Sequence, residues 1–92
     1  MKTGSATITN RLGLHARPSA MVVEQATRFD SEVWLEKDGL KINAKSIMGV
    51  MMLAAEQGST LIVTTEGPDE EAALAAMEEV LVSGFGETKP GS

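Results

Sequence analysis

The sequence predicts an α+β fold in two layers, a four-stranded antiparallel sheet with three helices over one face, in the order β-α-β-β-α-β-α. Short alternating or β-branched runs separate longer stretches of helical period. The pair Asp38-Gly39 is typical of a tight hairpin turn, and Ser46 and Pro68 stand where helices prefer to begin. A chain of 92 residues has room for a single domain with a small core.

The first half of the chain predicts a strand, a helix and a hairpin. The alternating residues Ala6 to Thr9 indicate the first strand, and Asn10 to Leu14 a loop. Helix-forming sequence follows from Ala16 to Arg28. Strands at Glu32–Glu36 and Leu40–Ile42 flank the hairpin turn. The core-facing side of this first helix is predicted to hold Val22, Val23, Ala26 and Phe29.

The second half predicts two helices around a fourth strand. Ser46 is expected to cap a short helix from Ile47 to about Ala55, and the β-branched run Thr60–Thr65 indicates a strand. Pro68 suits the first position of the last helix, whose first turn is acidic, and Gly84 is a plausible end. The buried face of that helix is predicted to hold Leu74, Met77 and Leu81.

The composition excludes several classes of function. The chain has no cysteine, so it forms no disulfide or thiolate metal site, which suits the cytoplasm. A net charge of −5, with one Trp and two Phe, argues against nucleic-acid binding. Without a long apolar run or a signal segment, we expect no direct membrane insertion. We predict a domain of residues 1–87 followed by a flexible tail of residues 88–92.

The only histidine is the residue most informative about function. His15 stands at the start of the first predicted helix, where unpaired backbone N–H groups and the helix dipole favour an anion. Arg17 can pair with a phosphoryl group through two hydrogen bonds. Gly13 permits close approach of the chain, and Pro18 stiffens the first turn. These residues together predict a phosphate site.

Other roles for His15 are weaker. It can be a capping or surface histidine without chemistry, which is the commoner fate of a single histidine. One histidine without cysteine makes a poor metal site, and Ser19 has no orienting acid nearby to form a hydrolytic triad. Attack by a neutral imidazole on a phosphoryl donor fits better, because the resulting phosphoramidate is reactive and passes the group on.

The segment Leu12-Gly13-Leu14-His15-Ala16-Arg17-Pro18 resembles the active-site motif of the HPr family, the histidine phosphocarriers of the bacterial phosphoenolpyruvate-dependent phosphotransferase system. The similarity extends along almost the whole chain and includes Lys45-Ser46-Ile47-Met48-Gly49-Val50. It implies an open-faced β-sandwich in which His15 takes phosphate on Nδ1 from enzyme I and gives it to an enzyme IIA component. It further implies that Arg17 supports the phosphate, that no cofactor is bound, and that the protein is a carrier rather than an enzyme.

Ser46 has two interpretations that are compatible with each other. Serine is a favoured N-cap, and an apolar helix follows directly. By resemblance, Lys45 to Gly49 is similar to the site that HPr kinase/phosphorylase modifies. A phosphate there adds about −1.5 to −2 charges and obstructs a partner more readily than it unfolds the domain. A transcriptional regulator is then a further expected partner.

The helix after Ser46 is predicted to carry two apolar stripes. Gly49, Val50 and Leu53 suit the core, so a second stripe of Ile47, Met48 and Met51, with Met52 at its margin, is expected to be partly exposed. Exposed methionines favour adaptable protein binding, whereas the alternative is that they fill a loose core. The resemblance places this helix close to His15, and we expect Ala20 to belong to the same binding surface.

The alternative to a carrier is a mainly regulatory HPr-type module, in nitrogen-branch or carbon-catabolite control, acting through Ser46 and the Met48/Met51 surface. The residues Ser83 to Glu87 resemble nitrogen-branch carriers and the regulatory HPr types found with them, so the sugar and nitrogen branches both stay open. In either case we expect a cytoplasmic monomer.

Overall fold

The computed structural model of the protein describes residues 1–86 and confirms the predicted order of elements. A short 3-10 turn, Gly84–Gly86, follows the last helix. The strands and helices are β1 (Lys2–Thr7), α1 (Ala16–Thr27), β2 (Glu32–Lys37), β3 (Leu40–Asn43), α2 (Ile47–Met52), β4 (Thr60–Glu66) and α3 (Glu70–Val82).

The strands of residues 1–86 form one antiparallel sheet in the order β1-β4-β2-β3, so the last strand along the chain lies between the first and the second. Helix α3 packs on β1 and β4, α2 packs on β3, and α1 packs on α2 and α3. The predicted open-faced β-sandwich is therefore confirmed. The buried side chains of the sheet are Ala6, Val33, Leu35, Ile42, Leu61, Val63, Thr64 and Thr65.

The two long helices bury the faces that their periodicity predicts. Helix α1 contributes the fully buried Val22 and Ala26 and the partly buried Val23, and Phe29, just past the end of the helix, is also partly buried. In α3, Met77 and Leu81 are fully buried, but Leu74 is only partly buried and Ala73 reaches the core beside them. Full burial of a Val, Leu or Met side chain contributes about 1.5–3 kcal/mol.

Two predicted boundaries are wrong. The first strand runs from Lys2 to Thr7 rather than from Ala6 to Thr9, because the backbone from Lys2 onward pairs with β4. Helix α2 ends at Met52 rather than near Ala55. Ala54 adopts a positive φ of 49°, which turns the chain out of the helix.

The start of α3 also differs from the prediction, because Pro68 lies in the turn before the helix and Asp69 takes the N-cap position. The Asp69 carboxylate accepts hydrogen bonds from the backbone N–H groups of Asp30 (3.0 Å) and Ser31 (2.9 Å) and from the Ser31 hydroxyl. These bonds, with the Ser31 hydroxyl first, lower the pKa of Asp69. The carboxylate thus joins the start of α3 to the residues directly before β2 instead of capping its own helix.

The end of α3 is where the sequence places it. Ser83 is the C-cap, and Gly84 follows with a φ of +79° that suits glycine. Phe85 then turns back into the core and is only 1% exposed. Residue 87 of the predicted domain and the predicted tail, residues 88–92, lie outside the described residues.

Candidate functional site

The loop in front of His15 is built against the segment that follows α2. Backbone hydrogen bonds join Ile8 to Gly58 (2.8 Å) and Leu14 N to the carbonyl oxygen of Ala55 (2.9 Å). Gly13 has a φ of +68°, and a Cβ atom there would overlap the same Ala55 oxygen. Glycine at residue 13 thus lets the loop lie directly against the segment after α2, and this contact fixes the loop relative to that segment.

His15 is the N-cap residue of the 12-residue helix α1, with extended backbone angles. Its carbonyl accepts the first helical bond, from Ser19 N at 2.9 Å, but its imidazole makes no capping hydrogen bond to the amides of α1. Pro18 is the third helical residue and has no N–H, so Ala16 and Arg17 supply the backbone donors of the first turn. The half-buried ring therefore lies at the positive end of a helix without serving as its cap.

Arg17 and Ala20 are both exposed on α1. The guanidinium Nη1 of Arg17 lies 3.4 Å from the sulfur of Met21, one turn along the helix. This contact is weak, because a thioether is a poor acceptor and the pair is exposed to water. The side chain can therefore exchange it for a stronger partner, such as a phosphoryl oxygen.

Ser46 caps α2 as predicted. Its Oγ accepts a hydrogen bond from Gly49 N at 3.1 Å, and its own N–H donates to Asn43 at 3.1 Å. The neighbouring Lys45 donates from Nζ to the carbonyl oxygen of Phe29 (2.9 Å), just past the end of α1. The capping role of Ser46 is thus visible in the geometry, and it leaves the hydroxyl half-buried at the surface.

The two stripes of α2 separate as predicted. Val50 and Leu53 are buried, whereas Met48 is 75% exposed and the other members of the second stripe are also exposed. The alternative that these methionines fill a loose core is therefore wrong. We call the exposed stripe the methionine surface; it consists of Ile47, Met48, Met51 and Met52.

Sequence reasoning missed three residues around His15. Leu12 is 69% exposed in the loop, although it is apolar, and its place three residues before His15 was the available signal. Asn10 and Ser19 are buried and donate to the carbonyl oxygens of Gly13 (2.8 Å) and Leu14 (3.0 Å). Residue type alone does not indicate these two bonds, although they are local and span three and five residues.

The rest of the described chain offers no competing centre. Within residues 1–86, no group of three or more His, Cys, Asp or Glu side chains could hold a metal ion. A depression of about 550 Å³ at the start of α3 is lined by residues 67–72, including Asp69 and two glutamates, and its charge does not suit a phosphate. No helix in this part of the chain is long and apolar enough to span a bilayer.

An open-faced β-sandwich with a lone imidazole at the start of a helix is the architecture of a small phosphocarrier. A family model described as the PTS HPr component phosphorylation site matches residues 2–83. The chain belongs to the HPr family, the phosphocarrier proteins of the phosphotransferase system.

Individual relatives agree with this assignment. The phosphocarrier protein HPr of Treponema pallidum is 52% identical over 80 residues, which cover 87% of this chain and 91% of the relative. The crystal structure of HPr-C-His from Thermoanaerobacter tengcongensis superposes with a TM-score of 0.91 at 47% identity, covering 97% of this chain and 100% of the other. The crystal structure of Crh, the Bacillus subtilis catabolite repression containing protein, is also similar. It superposes with a TM-score of 0.74 at 42% identity, covering 91% of this chain and 97% of the other. Crh is described as an intertwined dimer with a swapped domain.

Proposed function

We propose that this HPr chain accepts a phosphoryl group on Nδ1 of His15 from enzyme I and passes it to an enzyme IIA component. One observation carries the proposal. The imidazole lies at the first turn of α1, half-buried and not used as a cap, within the segment that matches the family's phosphorylation-site model. In this setting the ring lies beside the first backbone amides of α1, where an anion is favoured.

In the forward step, the lone pair of Nδ1 attacks phosphorus while the proton of the neutral imidazole stays on Nε2. The Nδ1–P bond forms as the bond between phosphorus and the donor breaks, and that electron pair leaves with the donor group. The phosphoryl oxygens face the N–H groups of Ala16 and Arg17 and the positive end of the helix dipole. The same exchange with an acceptor returns the imidazole to its starting form.

Arg17 is proposed to turn from the sulfur of Met21 towards the phosphoryl oxygens once the group arrives. The exchange is favourable because an ionised acceptor makes a stronger hydrogen bond with guanidinium than a thioether does. The arginine then offsets the negative charge without forming a covalent bond. Its side chain needs no refolding of the helix to make this change, since it is exposed.

The partners are proposed to dock in turn on one surface around His15. That surface combines the methionine surface with Leu12 and Ala20, all of which are exposed. The bond from Leu14 N to the Ala55 carbonyl ties the histidine loop to the segment after α2, and α1 packs on α2; both contacts support a single docking surface. An apolar, methionine-rich surface can adapt to several partners.

The test is phosphorylation with enzyme I and phosphoenolpyruvate. The wild type should gain one acid-labile phosphate, on His15, and should lose it when an enzyme IIA is added. His15→Ala should gain none, and Arg17→Ala should be labelled more slowly. An unlabelled wild type beside a cognate enzyme I that is active on another carrier contradicts the proposal.

A second candidate function is regulatory binding controlled at Ser46, in which HPr kinase/phosphorylase modifies the hydroxyl and a transcriptional regulator reads it. Two observations favour it. Ser46 directly precedes the methionine surface, and Crh, a catabolite repression protein, is among the similar chains. Kinase treatment should give an acid-stable phosphate on Ser46 that changes the affinity for a partner. If Ser46→Asp and Ser46→Ala bind every partner as the wild type does, this function is wrong.

A cytoplasmic monomer belongs to the same proposal. Light scattering on the purified chain at micromolar concentration should give the mass of a single chain. A stable dimer would contradict this part and would direct attention to exchange of an element between copies, as described for Crh.

A further inference from the structure

In each of the two peptide groups before His15, both the N–H and the carbonyl are hydrogen-bonded. In the first of them, the Gly13 carbonyl accepts hydrogen bonds from Asn10 Nδ2 (2.8 Å) and from His15 N (3.0 Å). The N–H of the same peptide, on Leu14, donates to the Ala55 carbonyl (2.9 Å). Rotation of this peptide would break hydrogen bonds on both sides.

The second peptide joins Leu14 to His15 directly. Its N–H makes the bond to Gly13, and its carbonyl accepts a hydrogen bond from the Ser19 hydroxyl at 3.0 Å. Ser19 is fully buried, so water does not compete for this bond. The plane of this peptide sets the φ angle of His15, and φ sets the direction in which the imidazole leaves the backbone.

Ser19 occupies a helix position at which an apolar side chain is usual. It is the fourth residue of α1, and Leu14 is the residue before the N-cap. These two positions often hold an apolar pair that fixes how the chain enters the helix. Here a hydrogen bond from a side chain to the backbone joins the same positions. Serine is a poorer helix former than alanine in this setting, so the local helix alone does not favour it.

We propose that Ser19 is a positioning residue for phosphoryl transfer at His15, an inference that rests on the proposed function. Its hydroxyl holds the Leu14 carbonyl, which keeps the His15 peptide turned so that Nδ1 is presented beside the first amides of α1. Ser19 takes no part in the chemistry, because its proton is committed to the carbonyl. Loss of the bond lets the ring sample other directions and lowers the fraction of encounters that react.

The test compares two buried serines of the same kind. Ser19→Ala removes the bond beside the histidine. The matched control, Ser31→Ala, removes the bond of an equally buried hydroxyl to Asp69, directly before β2. The measurement is steady-state phosphorylation by enzyme I and phosphoenolpyruvate, with this chain as the substrate. With Ser19→Ala as the substrate, kcat should fall roughly five- to tenfold, and the KM for the carrier should change little. Ser31→Ala should keep the wild-type kcat under conditions in which both variants are folded.

Two further variants separate the hydroxyl from its volume. Ser19→Cys keeps a side chain of similar size but donates weakly, so it should lose kcat as Ser19→Ala does. Ser19→Thr keeps the hydroxyl and should recover most of the rate. The cysteine variant also supplies the answer if the alanine variant does not fold.

Nuclear magnetic resonance measures the rotamer of the His15 side chain, which a loss of stability alone does not change. The χ1 couplings of His15 should report averaging over rotamers in Ser19→Ala and a single rotamer in the wild type and in Ser31→Ala. Wild-type kcat and wild-type couplings in folded Ser19→Ala would overturn the inference. A wild type that takes no label on His15 would instead overturn the proposed function, so the two failures are distinguishable.

Discussion

Gly13 and Ala55 approach so closely that the carbonyl oxygen of Ala55 occupies the space where a side chain at residue 13 would begin. The contact lies between the loop before His15 and the segment after α2. It therefore decides how the histidine is placed relative to the methionine surface. A glycine satisfies both requirements at this point, the positive φ and the absence of a Cβ atom.

Gly13→Ala should lower the free energy of unfolding by more than the positive φ alone explains. The matched control is Gly58→Ala, where φ is +90° and the space is open, so its cost should be about 1–2 kcal/mol. Urea unfolding of both variants measures the difference, which is the cost of moving the Ala55 backbone. Equal destabilisation of the two variants would show that the loop gives way without cost.

The Ser46 cap predicts a loss of stability for one substitution and almost none for another. Ser46→Ala removes the acceptor of Gly49 N and should cost about 1 kcal/mol of stability. Ser46→Asp keeps an acceptor at a favoured capping residue and should stay close to the wild type. Urea unfolding of the two variants checks the prediction. If Ser46→Asp is as unstable as Ser46→Ala, the capping bond is not what Ser46 contributes.

The Asp69 cluster predicts a pH dependence of stability. The pKa of Asp69 in the folded protein lies below its ordinary value of 3.8, chiefly because the Ser31 hydroxyl donates to the carboxylate. The ionised form therefore stabilises the fold above pH 3.8, and this contribution is lost as the pH falls below 3.8 through the folded pKa. The difference in unfolding free energy between wild type and Asp69→Asn should thus be largest at neutral pH and shrink in acid.

Urea unfolding across the acid range measures this difference. Ser31→Ala provides a second check, because the pKa of Asp69 should rise towards its ordinary value when the first cause of the shift is removed. Carboxyl resonances of Asp69 report that pKa directly. A difference between wild type and Asp69→Asn that stays constant with pH would show that the charge of Asp69 does not matter to the fold.

The methionine surface can be tested with two isoleucines of nearly equal exposure. Ile47 is 45% exposed on α2, and Ile62 is 42% exposed on the sheet strand β4. Ile47→Ser should weaken binding to enzyme I by about tenfold or more, as expected of an apolar contact residue. Ile62→Ser should bind as the wild type does. Calorimetric titration gives both affinities, and equal effects of the two changes would place the docking surface elsewhere.

The sequence predicts those parts of the fold that depend on local pattern. The order of elements, the Ser46 cap, the glycine after α3 and the exposed stripe of α2 follow from propensity and periodicity. The limits of β1 do not, because pairing with β4 extends the strand beyond its alternating residues. The predicted start of α3 at Pro68 is wrong for a related reason. The Asp69 carboxylate accepts a hydrogen bond from the distant Ser31, and Asp69 is the N-cap residue, so the helix begins after it.

In the candidate site, too, some residues could be predicted from the sequence and others could not. His15 and Arg17 stand out from residue type, spacing and resemblance, and the close approach at Gly13 could be predicted from its place in the loop. The buried donors Asn10 and Ser19 could not, since residue type alone does not show that they bond to carbonyls three and five residues away. The exposure of Leu12, an apolar residue in the predicted loop, is likewise shown only by the structure.

The central position of β4 constrains when the protein can become functional during its synthesis. Neither β1 nor β2 has its main sheet neighbour until residues 60–66 have been made, and the anchor of the histidine loop at Ala55 is made only shortly before them. Such distant pairing favours folding after most of the chain has emerged from the ribosome. A nascent chain that already displays the histidine motif therefore still lacks the backbone contacts that fix the loop before His15.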